Sequence, residues 1–435
     1  MRKTLIEKKV YVKHALLLFI LMACSITATQ AQKEITVMVS PDKTDWVYSE
    51  NQSCTFTVRV IKAQNELKDV TVDYELGPIE FPDVKKTNQP LKNGKLEIKG
   101  KMSTSGFLRC KVTTNIEGRT YTGLATVAYS PEKIKPVTDM PGDFKEYWET
   151  TLANARQTEL KPTMVLLPER CTDKVNVYHV SFQNVRPGSR TYGILCVPKK
   201  EGKYPALLRV PGAGIRPYNG DVYTAEKGAI TLEIGIHGIP VTQTQAYYNN
   251  LSNGALWHYW EINNTDRDAF YYNRVIVGCL RAVDFLCGLE QYDGKTIGVA
   301  GSSQGGALSV ITAALDKRIK FYAPLMPGLC DHLAYIHKRA GGWPHYFSKP
   351  EEVKEAIKYV CRYYDVVNFA QYLTVPGWFS WGYNDETCPP TSMQAAYNVI
   401  SSPKELHVYL ECGHFWYDEL ADEWSKWICK QLGVN

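Results

Sequence analysis

A mostly parallel α/β sheet with helices on both faces, preceded by a small all-β sandwich, is the architecture this sequence predicts, and three observations predict it. Short alternating apolar runs separated by turn residues fill Lys33 to Ser130. Prolines at 131, 136 and 141 then punctuate the chain. Beyond them, apolar strand-like runs alternate with segments of helical spacing as far as Gln431, the pattern of a parallel sheet covered by helices.

The 435 residues call for two or three domains, and 44% hydrophobic with 22% charged residues can close a sizeable core. Net charge is +5, and no lysine- or arginine-rich run occurs in the body of the chain, which argues against a nucleic-acid partner. Residues 1–31 read as a secretory signal peptide: Arg2, Lys3, Lys8, Lys9 and Lys13 precede an apolar stretch from Ala15 to Ala23, and cleavage is expected after Ala31. That stretch is too short to span a bilayer, and no later segment reads as a membrane span. Leu21-Met22-Ala23-Cys24 offers an alternative, a lipoprotein signal that would anchor the chain through lipid on Cys24. Either way the chain is exported, to the periplasm or beyond. The twelve cysteines include no CxxC pair, so neither a zinc site nor a redox motif is expected. Cys54 and Cys110, each on the apolar face of its strand, form either a disulfide or two buried thiols.

Residues 33–130 form the sandwich, immunoglobulin-like in its strand spacing. Strands are expected at Ile35–Val39, Cys54–Val60, Val70–Tyr74, Leu96–Ile98 and Tyr121–Tyr129, with Asn93-Gly94 and Glu117-Gly118 as turns. No function is legible in this unit, and a spacer or packing module is expected. Residues 131–141 read as the linker and 142–435 as the second domain. There Phe144, Tyr147, Trp148, Leu152 and Ala155 share one face of a helix from Asp143 to Arg156. Strands follow at Val175–Phe182, Tyr192–Val197, Ala206–Val210 and Ala229–Ile236, then a helix over Val275–Leu286. Ile297–Ala300, Phe321–Met326, Gly377–Trp381 and Leu406–Leu410 read as further strands, and Glu419–Gln431 as a closing helix.

Gly301-Ser302-Ser303-Gln304-Gly305 stands between the Ile297–Ala300 strand and a helical pattern that begins at Ala307. This GxSxG is the signature of the sharp strand-to-helix turn that lifts a serine hydroxyl out of the sheet of an α/β-hydrolase. The pentapeptide alone is weak, since glycine and serine are common. Its setting and a third glycine at 306 strengthen it. In that fold an acid and then a histidine follow the nucleophile. Asp385 lies just past the Gly377–Trp381 strand and the turn at Gly382, whereas its rival Asp365 follows no glycine turn. His414 lies on the loop beyond the last strand, while His407 lies within it and reads as a surface or structural residue. The oxyanion donors are expected to be the backbone N–H groups of Gln304 and of Ala213, in Pro211-Gly212-Ala213-Gly214.

With these residues in place, the region from Met140 to Leu432 resembles the acetyl xylan esterase and cephalosporin C deacetylase family, carbohydrate esterase family 7. The matching pieces include Phe144 to Trp148, Pro205 to Arg209, Tyr271 to Arg274, Arg281 to Leu286, Gly301 to Gly306, Asp385 to Pro390 and Gly413-His414. The resemblance implies Ser303 as nucleophile, Asp385 as the orienting acid, His414 as base, and acetate release from sugars. Two stretches depart from it. Pro211-Gly212-Ala213 replaces the family's His-Gly-Tyr, removing a tyrosine from the acyl pocket, and His237-Gly238-Ile239 replaces Arg-Gly-Gln, removing a guanidinium and an amide.

The expected activity is therefore that of an exported serine esterase removing acetyl groups from plant-type polysaccharides or oligosaccharides, with no metal or organic cofactor. Trp257, Trp260 and Tyr271 are expected to line the sugar cleft. The alternatives are an esterase for bulkier acyl groups of the feruloyl type, or a glycan-binding protein with an inactive hydrolase domain.

Overall fold

Period-two patterning builds the first domain. In Cys54–Lys62, residues 54, 56, 58 and 60 are fully buried and those between them half-buried, as a pleated strand with one face on a core requires. A computed structural model describes residues 34–349 and 354–435 of the chain; the leader reading, with Cys24, lies outside the described residues.

The strands β1 (Ile35–Pro41), β2 (Val47–Tyr48), β3 (Cys54–Lys62), β4 (Asn65–Glu66), β5 (Thr71–Pro78), β6 (Val84–Pro90), β7 (Leu96–Gly100), β8 (Gly106–Ile116) and β9 (Arg119–Tyr129) make two sheets. One holds β1, β3, β4 and β7; the other runs β2-β9-β8-β5-β6. Phe56, Val58, Val72, Val112 and Val127 fill the space between them. Cys54 and Cys110 sit in that core as free thiols, not as a bridge. They pack as small apolar side chains, and burial pushes both up to about 12, keeping them protonated.

The segment expected to be a linker is packed down. Ile134 belongs to the main core, and the N–H groups of Val137 and Thr138 donate to Asp331 Oδ1 at 2.8 and 2.9 Å. Pro131 opens a short 3-10 turn over Pro131–Lys133, and the rest of the segment is irregular without being free.

The second domain carries a nine-stranded sheet of β10 (Thr163–Leu166), β11 (Val175–Gln183), β12 (Arg190–Pro198), β13 (Tyr204–Arg209), β14 (Ile230–Gly235), β15 (Tyr292–Ser302), β16 (Phe321–Leu325), β17 (Gly377–Trp381) and β18 (Lys404–Val408). Their spatial order is β10-β11-β12-β14-β13-β15-β16-β17-β18. The pairings from β10 to β14 through β11 and β12 are antiparallel, and the rest are parallel. Central strands buried on both faces become nearly continuous apolar runs, as Ala206 to Leu208 and Ile297 to Ala300 show.

Helices α1 (Phe144–Arg156), α2 (Val222–Glu226), α3 (Gln245–Ser252), α4 (Tyr271–Cys287), α5 (Gln304–Leu315), α6 (Glu355–Tyr364), α7 (Val366–Ala370), α8 (Pro390–Asn398) and α9 (Asp418–Leu432) complete the domain. Alternation along β12 sorts the two faces. Leu195 and Val197 join the large core that includes α4, whereas Ile194 and Cys196 pack with Ala225 of α2. On the α2 side, Arg209 pairs with Asp221 at 2.8 Å and lies over the Trp424 ring of α9 at 4.6 Å.

Candidate active site

Between β15 and α5 the backbone has to reverse within one residue, and that residue is Ser303, with φ 59° and ψ −122°. Such a conformation costs about 1–3 kcal/mol in a non-glycine residue and persists only where its surroundings hold it. Here Ser303 N donates to Leu325 O at 2.9 Å, and Ser303 O accepts from Gly328 N at 3.0 Å. The flanking glycines are required by close approach. A Cβ on Gly301 would lie 2.4 Å from Val210 O, one on Gly305 2.3 Å from the same atom, and one on Gly306 2.5 Å from Leu325 O. All three obstacles are backbone.

The imidazole of His414 bridges the other two groups. Its Nε2 lies 3.0 Å from Ser303 Oγ and its Nδ1 2.8 Å from Asp385 Oδ2. Asp385 is fully buried, and its Oδ1 accepts from the N–H groups of Thr387 and Cys388, both at 2.8 Å. One carboxylate oxygen is thus fixed by its own loop, leaving the other for the ring. An ionised carboxylate only accepts, so Nδ1 carries the proton and Nε2 is free to accept from the serine hydroxyl.

Asp365 has a different task. It caps α7, accepting from Val367 N at 3.1 Å, and also accepts from the N–H groups of Asp331 and His332, each at 2.7 Å. Burial, and secondarily the neighbouring Asp331, push its carboxyl up to about 7. His407 lies on the surface beside Glu405 and Glu423, stacked on Trp378 at 4.7 Å.

The loop after β13 closes over the serine, since a Cβ on Gly212 would lie 3.8 Å from Ser303 Cβ. Gln304 opens α5, where backbone N–H groups lack intrahelical partners. Its side chain, fully buried, is the hub that sequence reasoning missed. Oε1 accepts from the hydroxyls of Tyr259 at 2.6 Å and Tyr272 at 2.8 Å, while Nε2 donates to Pro211 O at 3.2 Å. The amide therefore ties the loop that carries Ala213 to the helix behind Ser303. Arg216 fastens the same loop from outside through Ala213 O at 2.8 Å. No periodicity marks Tyr259 or Tyr272 for this role.

Trp257 is 61% exposed, and Trp260 is half-buried. The His258 ring is stacked between them, with centroids 4.5 and 4.9 Å away. Trp260 meets Trp343 edge-on at 5.4 Å, and Trp343 borders Gly328, which lies against the backbone N of Gln304. An aromatic ledge thus leads away from the serine. Tyr271 is not part of it, contrary to the sequence expectation. It is buried, with its hydroxyl 2.8 Å from His237 Nδ1, and His237 Nε2 lies 3.0 Å from Gly214 O. Its helical position faces the core below the Ala213 loop. Burial brings His237 down to about 4, so the ring is neutral and props that loop as a donor.

Residues 129–431 match the family model described as Acetyl xylan esterase (AXE1). The chain belongs to the acetyl xylan esterase family. It is 35% identical over 404 residues to the acetyl esterase Axe7A of Xylanibacter ruminicola, a match covering 90% of each chain. Among solved structures, an acetyl xylan esterase from Paenibacillus sp. R4 superposes with a TM-score of 0.60 at 28% identity, over 68% of this chain and 97% of that one. Acetyl xylan esterase 1 from a Thermoanaerobacterium species does so with a TM-score of 0.56 at 23% identity, over 68% and 96%, and speaks for the fold. The expected α/β-hydrolase class and carboxylic ester hydrolase activity of this family member are thus established.

Proposed function

We propose that the chain is an exported esterase that removes acetyl groups from acetylated plant-type glycans through an acetyl-enzyme on Ser303. The observation that carries the mechanism is the continuous chain of hydrogen bonds from Asp385 through His414 to Ser303 Oγ, at 2.8 and 3.0 Å. Ser303 Oγ attacks the acetyl carbonyl carbon while His414 Nε2 takes the hydroxyl proton. The carbonyl oxygen becomes the oxyanion and accepts hydrogen bonds from the backbone N–H groups of Gln304 and Ala213. Collapse breaks the bond to the sugar oxygen, which leaves with the proton from His414. Water then attacks the acetyl-serine with His414 again as base, releasing acetate and restoring the hydroxyl. Trp257 and Trp260 form the ledge on which a sugar ring stacks.

Acetate release from acetylated xylo-oligosaccharides, compared between the parent chain and Ser303→Ala, tests this. A loss of roughly a thousandfold or more in kcat is expected. Turnover that survives the substitution would remove Ser303 from the mechanism. A parent that cleaves feruloyl esters but not acetyl esters would move the substrate to bulkier acyl groups.

A further inference from the structure

We propose that the N-terminal sandwich completes the active site, with Arg109 as a positioning residue that holds the loop carrying Asp385. The proposal rests on the reading of Asp385 as the acid that orients His414.

The alternation of β8 creates the contact. Leu108, Cys110 and Val112 point into the sandwich core, so Phe107, Arg109 and Lys111 point the other way, toward the second domain. Phe107 and Ala128 belong to the same buried cluster as the central sheet, so the sandwich is packed on the hydrolase and not tethered beside it. The Arg109 side chain is only 7% exposed. A guanidinium so placed has to spend its N–H groups on protein acceptors. Nε donates to Thr126 Oγ1 at 2.8 Å, and Nη2 donates to the backbone oxygens of Asp385 at 3.0 Å and Tyr383 at 3.3 Å.

Four consecutive residues around the acid each take a partner from the sandwich. The Tyr383 ring meets the Phe107 ring edge-on at 5.0 Å. Asn384 Nδ2 reaches Leu124 O at 3.3 Å and, on its other side, Glu411 O at 3.2 Å, three residues before His414. Asp385 is held through its carbonyl by Arg109, and Glu386 pairs with Lys111 at 2.9 Å. On the opposite flank the loop is bonded to the segment beyond β18, with Tyr383 N donating to Leu410 O and Asn384 N to Cys412 O. The acid loop is therefore clamped between the His414 segment and the sandwich. Loosening one jaw frees the carboxylate to drift from the imidazole, and a misplacement of about 1 Å can cost on the order of a hundredfold in rate. The match to the AXE1 model begins at residue 129, the last residue of β9, and so leaves out nearly all of the sandwich. The Axe7A match, at 90% of this chain, is too long to leave the sandwich out.

The test uses the full chain and 4-nitrophenyl acetate, a substrate too small to need the sandwich for binding. Arg109→Ala is expected to lower kcat about 10- to 100-fold, with KM within about twofold. Millimolar guanidinium, which can enter the space left behind, is expected to restore kcat several-fold in this variant and not in the parent. Phe56→Leu loosens the sandwich core and is expected to lower the melting temperature without changing kcat below it. The proposal is overturned by a kcat for Arg109→Ala within about twofold of the parent, by an equal loss in Phe56→Leu, or by a loss that guanidinium does not relieve. If Arg109→Ala does not fold, Arg109→Lys, which keeps the charge without the planar fork, carries the test: a kcat reduced several-fold supports the proposal and an unchanged kcat overturns it. Ser303→Ala run alongside separates the two readings. Activity retained in Ser303→Ala defeats the nucleophile assignment itself, whereas an inactive Ser303→Ala beside a fully active Arg109→Ala defeats only the clamp.

Discussion

Replacing Gly305 by alanine probes the turn at its tightest point. The new Cβ would stand 2.3 Å from Val210 O, 2.9 Å from Pro211 C and 3.1 Å from Pro211 O. Relief to a tolerable contact of about 3.3 Å needs a shift of roughly 1 Å. The obstacles cannot simply turn aside. Val210 N is bonded to Ala300 O at 3.1 Å, and Pro211 O is held by Gln304 Nε2 at 3.2 Å. The shift therefore passes into the loop that carries Ala213 or into the start of α5 behind Ser303. Either route spoils a geometry in which Ser303 Oγ and His414 Nε2 are 3.0 Å apart. A displacement of this size is expected to lower kcat about a hundredfold, near 2.7 kcal/mol of barrier, and to cost about 1–3 kcal/mol of stability. Turnover of 4-nitrophenyl acetate and urea unfolding measure the two effects. Gly328→Ala is the control for stability alone, because its Cβ meets nothing nearer than Trp343 at 3.4 Å and it is expected to fold normally. Parent-like kcat and stability in Gly305→Ala would refute the steric account of the turn.

Gln304→Leu strips the acceptor from two buried tyrosine hydroxyls and is expected to cost about 2–5 kcal/mol in urea unfolding; a change below about 0.5 kcal/mol would count against the hub. His237 falls from 6.5 to about 4 on folding, chiefly through burial. Between those values the unfolded chain binds a proton there that the folded chain does not, so stability drops as pH falls, by roughly 1.4 kcal/mol per pH unit. His237→Gln should flatten that slope relative to the parent, and parallel curves would refute it. Trp257→Ala is expected to leave stability within about 0.5 kcal/mol and to raise KM for acetylated xylo-oligosaccharides about 2- to 12-fold while sparing 4-nitrophenyl acetate. A KM unchanged for both substrates would remove Trp257 from the sugar ledge.

Much of the second domain was legible because its signals are local. Buried strands such as Ala206–Leu208 announce themselves as apolar runs, and the flanking glycines at 301, 305 and 306 record a steric demand within a few residues. Two edge strands were not legible. In β10 all four residues are exposed, and β6, Val84–Pro90, shows no alternation, because an edge needs only backbone pairing on one side. Tyr271 was misread for a related reason: an aromatic residue at a helix start has the same sequence signature whether it faces a cleft or a core.

Sequence alone determined the fold class, most strands of the central sheet, the strand-to-helix turn at Ser303, and the candidates Asp385 and His414, since periodicity and chain order require only near neighbours. Tertiary structure decided that Asp365 caps a helix, that Tyr271 props His237, that residues 131–141 are packed down, and that Arg109 reaches the carbonyl of Asp385. Those outcomes depend on which distant surfaces meet. A guanidinium on a sandwich strand looks like any exposed arginine until the packing of a second domain excludes water from it and adds two backbone carbonyls to its partners.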